Sequence, residues 1–230
     1  MNKLYLIGVG YRPFDERAKE IILNSHIILA SSNRLFEIFK GYCEFERVKD
    51  KIKVINNVDE TIEFIKSAIQ NIVLLTSGDP MFHGIGRRAV CEFGKDMVEI
   101  LPDLSSVQIA FSKIKETWDD ALLISLHGSR EKKYKMDDLP MLIQQHNKIA
   151  ILTDKENNPQ VIAKFLLKPS AFSLQPSALK MYVCEKLGYA DERIIQGSPK
   201  DISVMDFLEP NVVIIQQSED RGNECTEQSY

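Results

Sequence analysis

The chain has 230 residues, 44% of them hydrophobic and 27% charged, with a formal net charge of −4. That length suffices for a sizeable core and suits two small domains. The mild negative balance speaks against a general nucleic-acid binder, which carries a basic face, and no window reaches the apolar length of a membrane span.

"KLYLIGVG" (3–10) reads as a strand ending in glycines; with charges following it, the opening run is expected not to be an export signal. "DERAKEIILNS" (15–25) has helical spacing of Ala18, Ile21 and Ile22, and "HIILAS" (26–31) is a buried-strand type. "VDETIEFIKSAIQ" (58–70) predicts an amphipathic helix with Val58, Ile62, Ile65 and Ile69 on one face. "NIVLLTSGD" (71–79) predicts a strand, and "GIGRRAVCEFG" (84–94) a helix stopped by Gly94. "MVEILP" (97–102) predicts a strand and "SSVQIAFSKI" (105–114) a serine-capped helix. "KIKETWDD" (113–120) is charged and reads as a boundary, with Trp118 expected to pack there.

The alternation then restarts. Strands are expected at 121–128 and 148–154, helices at 137–146 and 158–167, and further strands at 178–188, 193–197 and 210–217. Glu156 and Asn157 read as caps before Pro159. The pattern implies an α/β protein with two domains, 1–114 and 115–217, mainly parallel or mixed sheets, and a polar tail at 218–230 expected to fray. Cys43, Cys91, Cys184 and Cys225 are far apart with no CxxC pair, so neither a metal site nor a disulfide is expected, and a reducing cytoplasm fits.

Five strand-end segments are glycine-rich or polar: "GVGYRP", "TSGDPMFHGIG", "PDLSS", "SLHGSR" and "LTDKENNP". Such loops gather at the carboxyl edge of an open α/β sheet, where ligands bind. A phosphate cradle is disfavoured. "GVGYRP" lacks the third glycine of GxGxxG, and "GDPMFHGIG" lacks the Lys-Ser/Thr of a P-loop. Asp79 reads either as a ligand contact or as the cap of its own turn. His83 and His127 lie in these loops and are weak candidates for acid–base work; local hydrogen bonding is the commoner role. No catalytic residue is assigned beyond them.

The ordered set "IGVG" (7–10), "TSGDPMFHGIGRR" (76–88), "PDLSSVQIAFSKI" (102–114), "SLHGS" (125–129), "ILTDKENNP" (151–159) and "VCEKLGYADERI" (183–194) resembles the tetrapyrrole (corrin/porphyrin) methyltransferases over nearly all of residues 3–217. The last two motifs point to the C5 branch. The resemblance implies S-adenosylmethionine as cofactor, S-adenosylhomocysteine as its product, and a precorrin or cobalt-precorrin substrate of the cobalamin pathway methylated at C5. It implies a cofactor cleft between the domains and a homodimer. With no second methyltransferase half in view, a separate protein is expected for C15 methylation and decarboxylation.

By motif, the implied cofactor contacts are Gly10, Tyr11, Ser77, Gly78, Asp79, Pro80, Ile85, Ser105, Ser106, Leu152, Thr153, Leu187, Gly188, Pro210, Asn211 and Val212. The substrate's carboxylates call for cations near the loops. Arg12 and Arg130 are the better choices, ahead of Arg87, Arg88, Lys132, Lys133 and Lys135, of which the lysines read as a solvated face. Two positions depart from the family pattern. Tyr11-Arg12 stands where Pro-Gly is usual, and Asp103 replaces a glycine before the serines. A sister enzyme acting at another ring carbon and a non-catalytic subunit retaining the fold are the alternatives; binding of S-adenosylhomocysteine separates the last from the others.

Overall fold

The structure, a computed structural model, describes residues 3–128, 133–168 and 178–217. It divides into two compact units, Met1–Ser106 and Val107–Tyr230.

In the first unit, strands β1 (Leu4–Val9), β2 (Ile27–Ala30), β3 (Ile52–Val54), β4 (Ile72–Ser77) and β5 (Val98–Leu101) form one sheet in the order β3-β2-β4-β1-β5. Every pairing is parallel. The strands are almost continuously apolar because both faces are covered. Alternate residues point to opposite faces. Ile7, Val9, Ile28, Ala30, Val73 and Leu75 pack with residues of α1 (Glu16–Asn24), α2 (Asn33–Phe39) and α3 (Phe45–Val48). Leu4, Leu6, Leu29, Ile72 and Leu74 pack with Ile65 of α4 (Val58–Ser67) and Ala89 of α5 (Gly86–Phe93).

Residues 32–57, for which the sequence reading names no element, supply α2, α3 and β3. Their short helices bury only Leu35, Phe39 and Val48, too few to show a period. Helix α4 is shorter than its pattern suggests. It stops at Ser67 because Ala68 is extended (φ −81°, ψ 140°), turning the chain toward β4. Ile69 is therefore outside the helix and 83% exposed, and Val58 is also exposed, leaving Ile62 and Ile65 as the buried apolar stripe. Gly94 ends α5 and donates its N–H to the Val90 carbonyl.

In the second unit, helix α6 (Ser106–Ile114) leads to a sheet built from β6 (Leu122–Ser125), β7 (Lys148–Leu152), β8 (Leu179–Glu185), β9 (Arg193–Gly197) and β10 (Asn211–Gln217). The order is β6-β7-β10-β8-β9. Only β6 and β7 pair in parallel; the other pairings are antiparallel. The sheet is thus mixed. The short link between β8 and β9 permits a hairpin, whereas a parallel pair requires a crossover. Helices α7 (Leu139–Gln145), α8 (Pro159–Leu166) and α9 (Pro199–Ile202) cover one face through Leu139, Leu142, Ile143, Ile162, Leu166 and Ile202. The cap of α8 is Asn158, whose side chain accepts the Val161 N–H, and not Glu156 or Asn157. Trp118 is 42% exposed. The 218–230 tail lies outside the described residues. No described helix is long and apolar enough to cross a membrane.

Candidate functional site

Strand order makes the crevice. After β1 the chain leaves for the face holding α1; after β4, the neighbouring strand, it leaves for the face holding α5. Adjacent strands whose connections depart to opposite faces open a crevice at their carboxyl ends. The loop after β5 joins them there, because β5 lies on the other side of β1.

These three loops are locked together by backbone. Gly78 donates to the Val9 carbonyl at 3.1 Å, and Asp103 donates to the Gly78 carbonyl at 3.3 Å. The approach leaves no room for a side chain at Gly8: a Cβ there would lie 2.1 Å from the Gly78 oxygen and 2.4 Å from the Asp103 nitrogen. Gly78 has φ +59°, a conformation glycine adopts without strain, and a Cβ on it would meet the Leu104 oxygen at 2.8 Å.

The first loop is held from two sides. Gly10 donates its N–H to the Tyr42 hydroxyl at 2.8 Å. Tyr11 and Arg12 donate theirs to Asp103 Oδ2 at 2.7 and 3.3 Å. Asp103 Oδ1 accepts from Arg12 Nε at 2.9 Å and from its neighbour Leu104 N–H at 2.7 Å. Arg12 Nη2 also reaches the Pro102 carbonyl. Asp103 is 6% exposed. Tyr42 stacks on Phe14, ring centroids 4.3 Å apart. Burial pushes its phenol above the ordinary value; the Gly10 N–H opposes the rise and the Asp103 charge adds to it.

An anion cradle needs several N–H groups aimed at one point. Here the N–H groups of Gly10, Tyr11, Arg12, Gly78 and Leu104 all go to protein acceptors. Beyond Gly78, Asp79 Oδ1 accepts the Met81 N–H at 2.8 Å, so this carboxylate does cap its turn. Asp79 remains half-buried, Ser77 exposed and Pro80 buried; Ile85 is partly buried just before α5. Ser105 is buried and Ser106 opens α6.

The second unit gathers its own loops. The ends of β6, β7 and β8 and the start of β10 lie at one sheet edge. Asp154 fastens two of them: Oδ2 accepts the Gly128 N–H at 2.9 Å, and Oδ1 accepts those of Glu156 and Asn157. Asn157 in turn donates to the Leu126 carbonyl. Thr153, beside Leu152, hydrogen-bonds through its hydroxyl to the Asn211 side chain and carbonyl. Lys186 donates its backbone N–H to the Pro210 carbonyl. Glu185, fully buried, accepts from Arg193 Nε and from the Leu208 N–H, both at 2.6 Å. Leu187 is buried, Gly188 and Pro210 are exposed, and Asn211 and Val212 are buried.

Gly188 donates to Glu192 Oε2 at 2.9 Å, while Glu192 Oε1 pairs with Lys113 at 2.6 Å. Burial alone would raise the Glu192 carboxyl; the Gly188 N–H and the Lys113 ammonium outweigh it and hold the group below the usual range.

Of the cations, Arg12 reaches the first loop cluster and Arg88 does not: it is half-buried between Asp59 and Glu92. Arg87 is exposed. Arg130 and Lys132 lie outside the described residues. Lys133 stands over the Tyr134 ring, and Lys135 donates its backbone N–H to Asp138. His127 folds back on Ser125, its Nδ1 3.2 Å from Oγ. His83 is exposed at φ 52°, edge-on to Phe82. Sequence reasoning missed Tyr42, Asp154 and Glu185; the first lies in the stretch without a clear period, and the others look like ordinary loop or strand-end acids.

The profile of the Tetrapyrrole (Corrin/Porphyrin) Methylases matches residues 3–203. The chain is 30% identical over 224 residues to a probable cobalt-precorrin-7 C(5)-methyltransferase of Methanocaldococcus jannaschii, covering 94% of this chain and 99% of that relative. It superposes with a TM-score of 0.67 on the precorrin-6Y methylase of Archaeoglobus fulgidus, at 21% identity, covering 95% and 98% of the two chains. A uroporphyrin-III C-methyl transferase from Thermus thermophilus complexed with S-adenyl homocysteine gives 0.65 at 14% identity, covering 94% and 92%. At such identities these two structures speak for the fold alone. With a family profile spanning most of its length and a relative matched nearly end to end, the chain belongs to the tetrapyrrole (corrin/porphyrin) methylases.

Proposed function

We propose that this protein is an S-adenosylmethionine-dependent methyltransferase of cobalamin biosynthesis that methylates C5 of a precorrin or cobalt-precorrin macrocycle. The observation that carries the reading is the near end-to-end match to the Methanocaldococcus relative named for that reaction. The first unit's loop cluster supports the cofactor. The N–H groups of Gly10, Tyr11, Arg12, Gly78 and Leu104 are engaged by protein acceptors, and the half-buried Asp79 is the nearby acid, a setting that suits a nucleoside carrying a positive sulfonium and no phosphate.

When bound, the cofactor supplies a methyl group on a sulfonium, ready for in-line displacement by an electron-rich ring carbon. The chain's contribution is position and dryness, not strong acid–base chemistry. On this reading the cofactor contacts are Gly10, Tyr11, Ser77, Gly78, Asp79, Pro80, Ile85, Ser105, Ser106, Leu152, Thr153, Leu187, Gly188, Pro210, Asn211 and Val212. Arg12 and Arg130 receive macrocycle carboxylates; just over half of the Arg12 side chain, 55%, is open to solvent. His83 and His127 receive no catalytic role. A homodimer, a cytoplasmic location and a separate protein for the C15 chemistry belong to the same reading.

The test is direct. Incubation with candidate precorrins and cofactor labelled at the methyl group, followed by mass spectrometry and NMR of the product, is expected to place the label on C5. A label on another ring carbon identifies a sister activity; no transfer from any precorrin overturns the reading.

A further inference from the structure

We propose that Asp103, seconded by Tyr42, is a positioning residue that holds the first loop in its ligand-binding shape before any ligand arrives. The inference rests on the assignment of that loop to the cofactor. Asp103 is 6% exposed and its carboxylate takes donors on both oxygens: two backbone N–H groups of the first loop and its neighbour Leu104, with the Arg12 guanidinium closing the clasp. Its own backbone N–H runs to Gly78, in the next loop. A single residue therefore joins the loops after β1, β4 and β5.

The chemistry explains why a carboxylate stands there. Consecutive N–H groups in a tight loop repel one another's partial charges and scatter toward water unless one acceptor collects them. A buried carboxylate collects two at once, and Arg12 balances its charge with a directed bond through Nε. Tyr42 takes the preceding N–H, that of Gly10, and its own ring is fixed against Phe14. With three successive N–H groups anchored inward at residues 10–12, the loop loses conformational freedom ahead of binding, which lowers the entropy cost of association.

Three variants and two readouts decide it. In Asp103→Ala, amide hydrogen exchange of segment 10–14 in the ligand-free protein is expected to accelerate at least tenfold, and the calorimetric Kd for S-adenosylhomocysteine to rise about tenfold or more. Asp103→Asn keeps the shape, leaves one acceptor oxygen, and is expected to fall between. This variant keeps the test open if the alanine protein does not fold. Tyr42→Phe removes only the hydroxyl and is expected to speed exchange at Gly10 while sparing Leu104. Unchanged exchange in the Asp103 variants overturns the proposal. Faster exchange with unchanged affinity also overturns it, because the loop is then ordered by Asp103 without serving the ligand. If the unmodified protein binds no S-adenosylhomocysteine, the cofactor assignment fails, and with it the ligand role of Asp103, while the exchange arm still reports what holds the loop.

Discussion

Gly8 sits where β1 is squeezed between the loops after β4 and β5, and no side chain fits. Gly8→Ala places a Cβ against two backbone atoms that cannot rotate away. We expect a loss on the order of 3 kcal/mol, read as a lower midpoint in urea unfolding, with the remaining folded protein weakened in S-adenosylhomocysteine binding. The same residue scale shows how Tyr11-Arg12 and Asp103, two departures from a familiar loop pattern seen separately in the sequence, are partners across 91 positions. A chain position read alone exposes its type and its neighbours; it does not expose the acceptor waiting on another strand.

Among elements, the segment after β8 is fastened by charge. Glu192 fastens Gly188 and pairs with Lys113, and Glu185 at the end of β8 binds Arg193 and Leu208. Because the Glu192 pKa is depressed in the folded state, its contribution is full above the ordinary carboxylate value of about 4.3 and fades as the pH falls through the lower folded value. Glu192→Gln is therefore expected to destabilise the protein at pH 7 and to matter progressively less toward pH 3, measured by urea unfolding at both. A constant difference across that range would remove the carboxylate as the cause. The elements with long apolar runs, β1, β2, β4, β7, β8 and β10, were legible in the sequence because double burial demands such runs. Helix ends were less so. The break at Ala68 follows from the need to enter β4, a demand that side-chain periodicity between 58 and 70 does not carry.

For the molecule as a whole, thiol accessibility reports the packing of the second sheet. Cys43 and Cys91 are exposed, whereas Cys184 lies buried in β8, where burial, aided by the Glu192 charge, pushes its thiol up to about 12. Alkylation followed by peptide mapping is expected to modify Cys43 and Cys91 in the native protein and Cys184 only after denaturant. The raised value carries a sign: its stabilisation is whole below the unfolded thiol pKa, about 8.5, and declines as the pH climbs toward 12. Native-state modification of Cys184 at the rate of the exposed thiols would contradict the packing of β8.

Apolar runs, helical spacing, turn residues and motifs were enough to read an α/β chain, its strand-end loops and its family, because each depends on residues near one another in sequence. The crevice of the first unit has another origin. It exists because β1 lies beside β4 and the connections leaving them depart to opposite faces, and because Tyr42, Asp103 and Gly78 each fasten the first loop or the strand that leads into it. The mixed character of the second sheet likewise comes from the β8–β10–β7 pairing. Such choices are settled by which burial and hydrogen bonding can be satisfied together in three dimensions, a condition on the whole chain and not on any stretch of it.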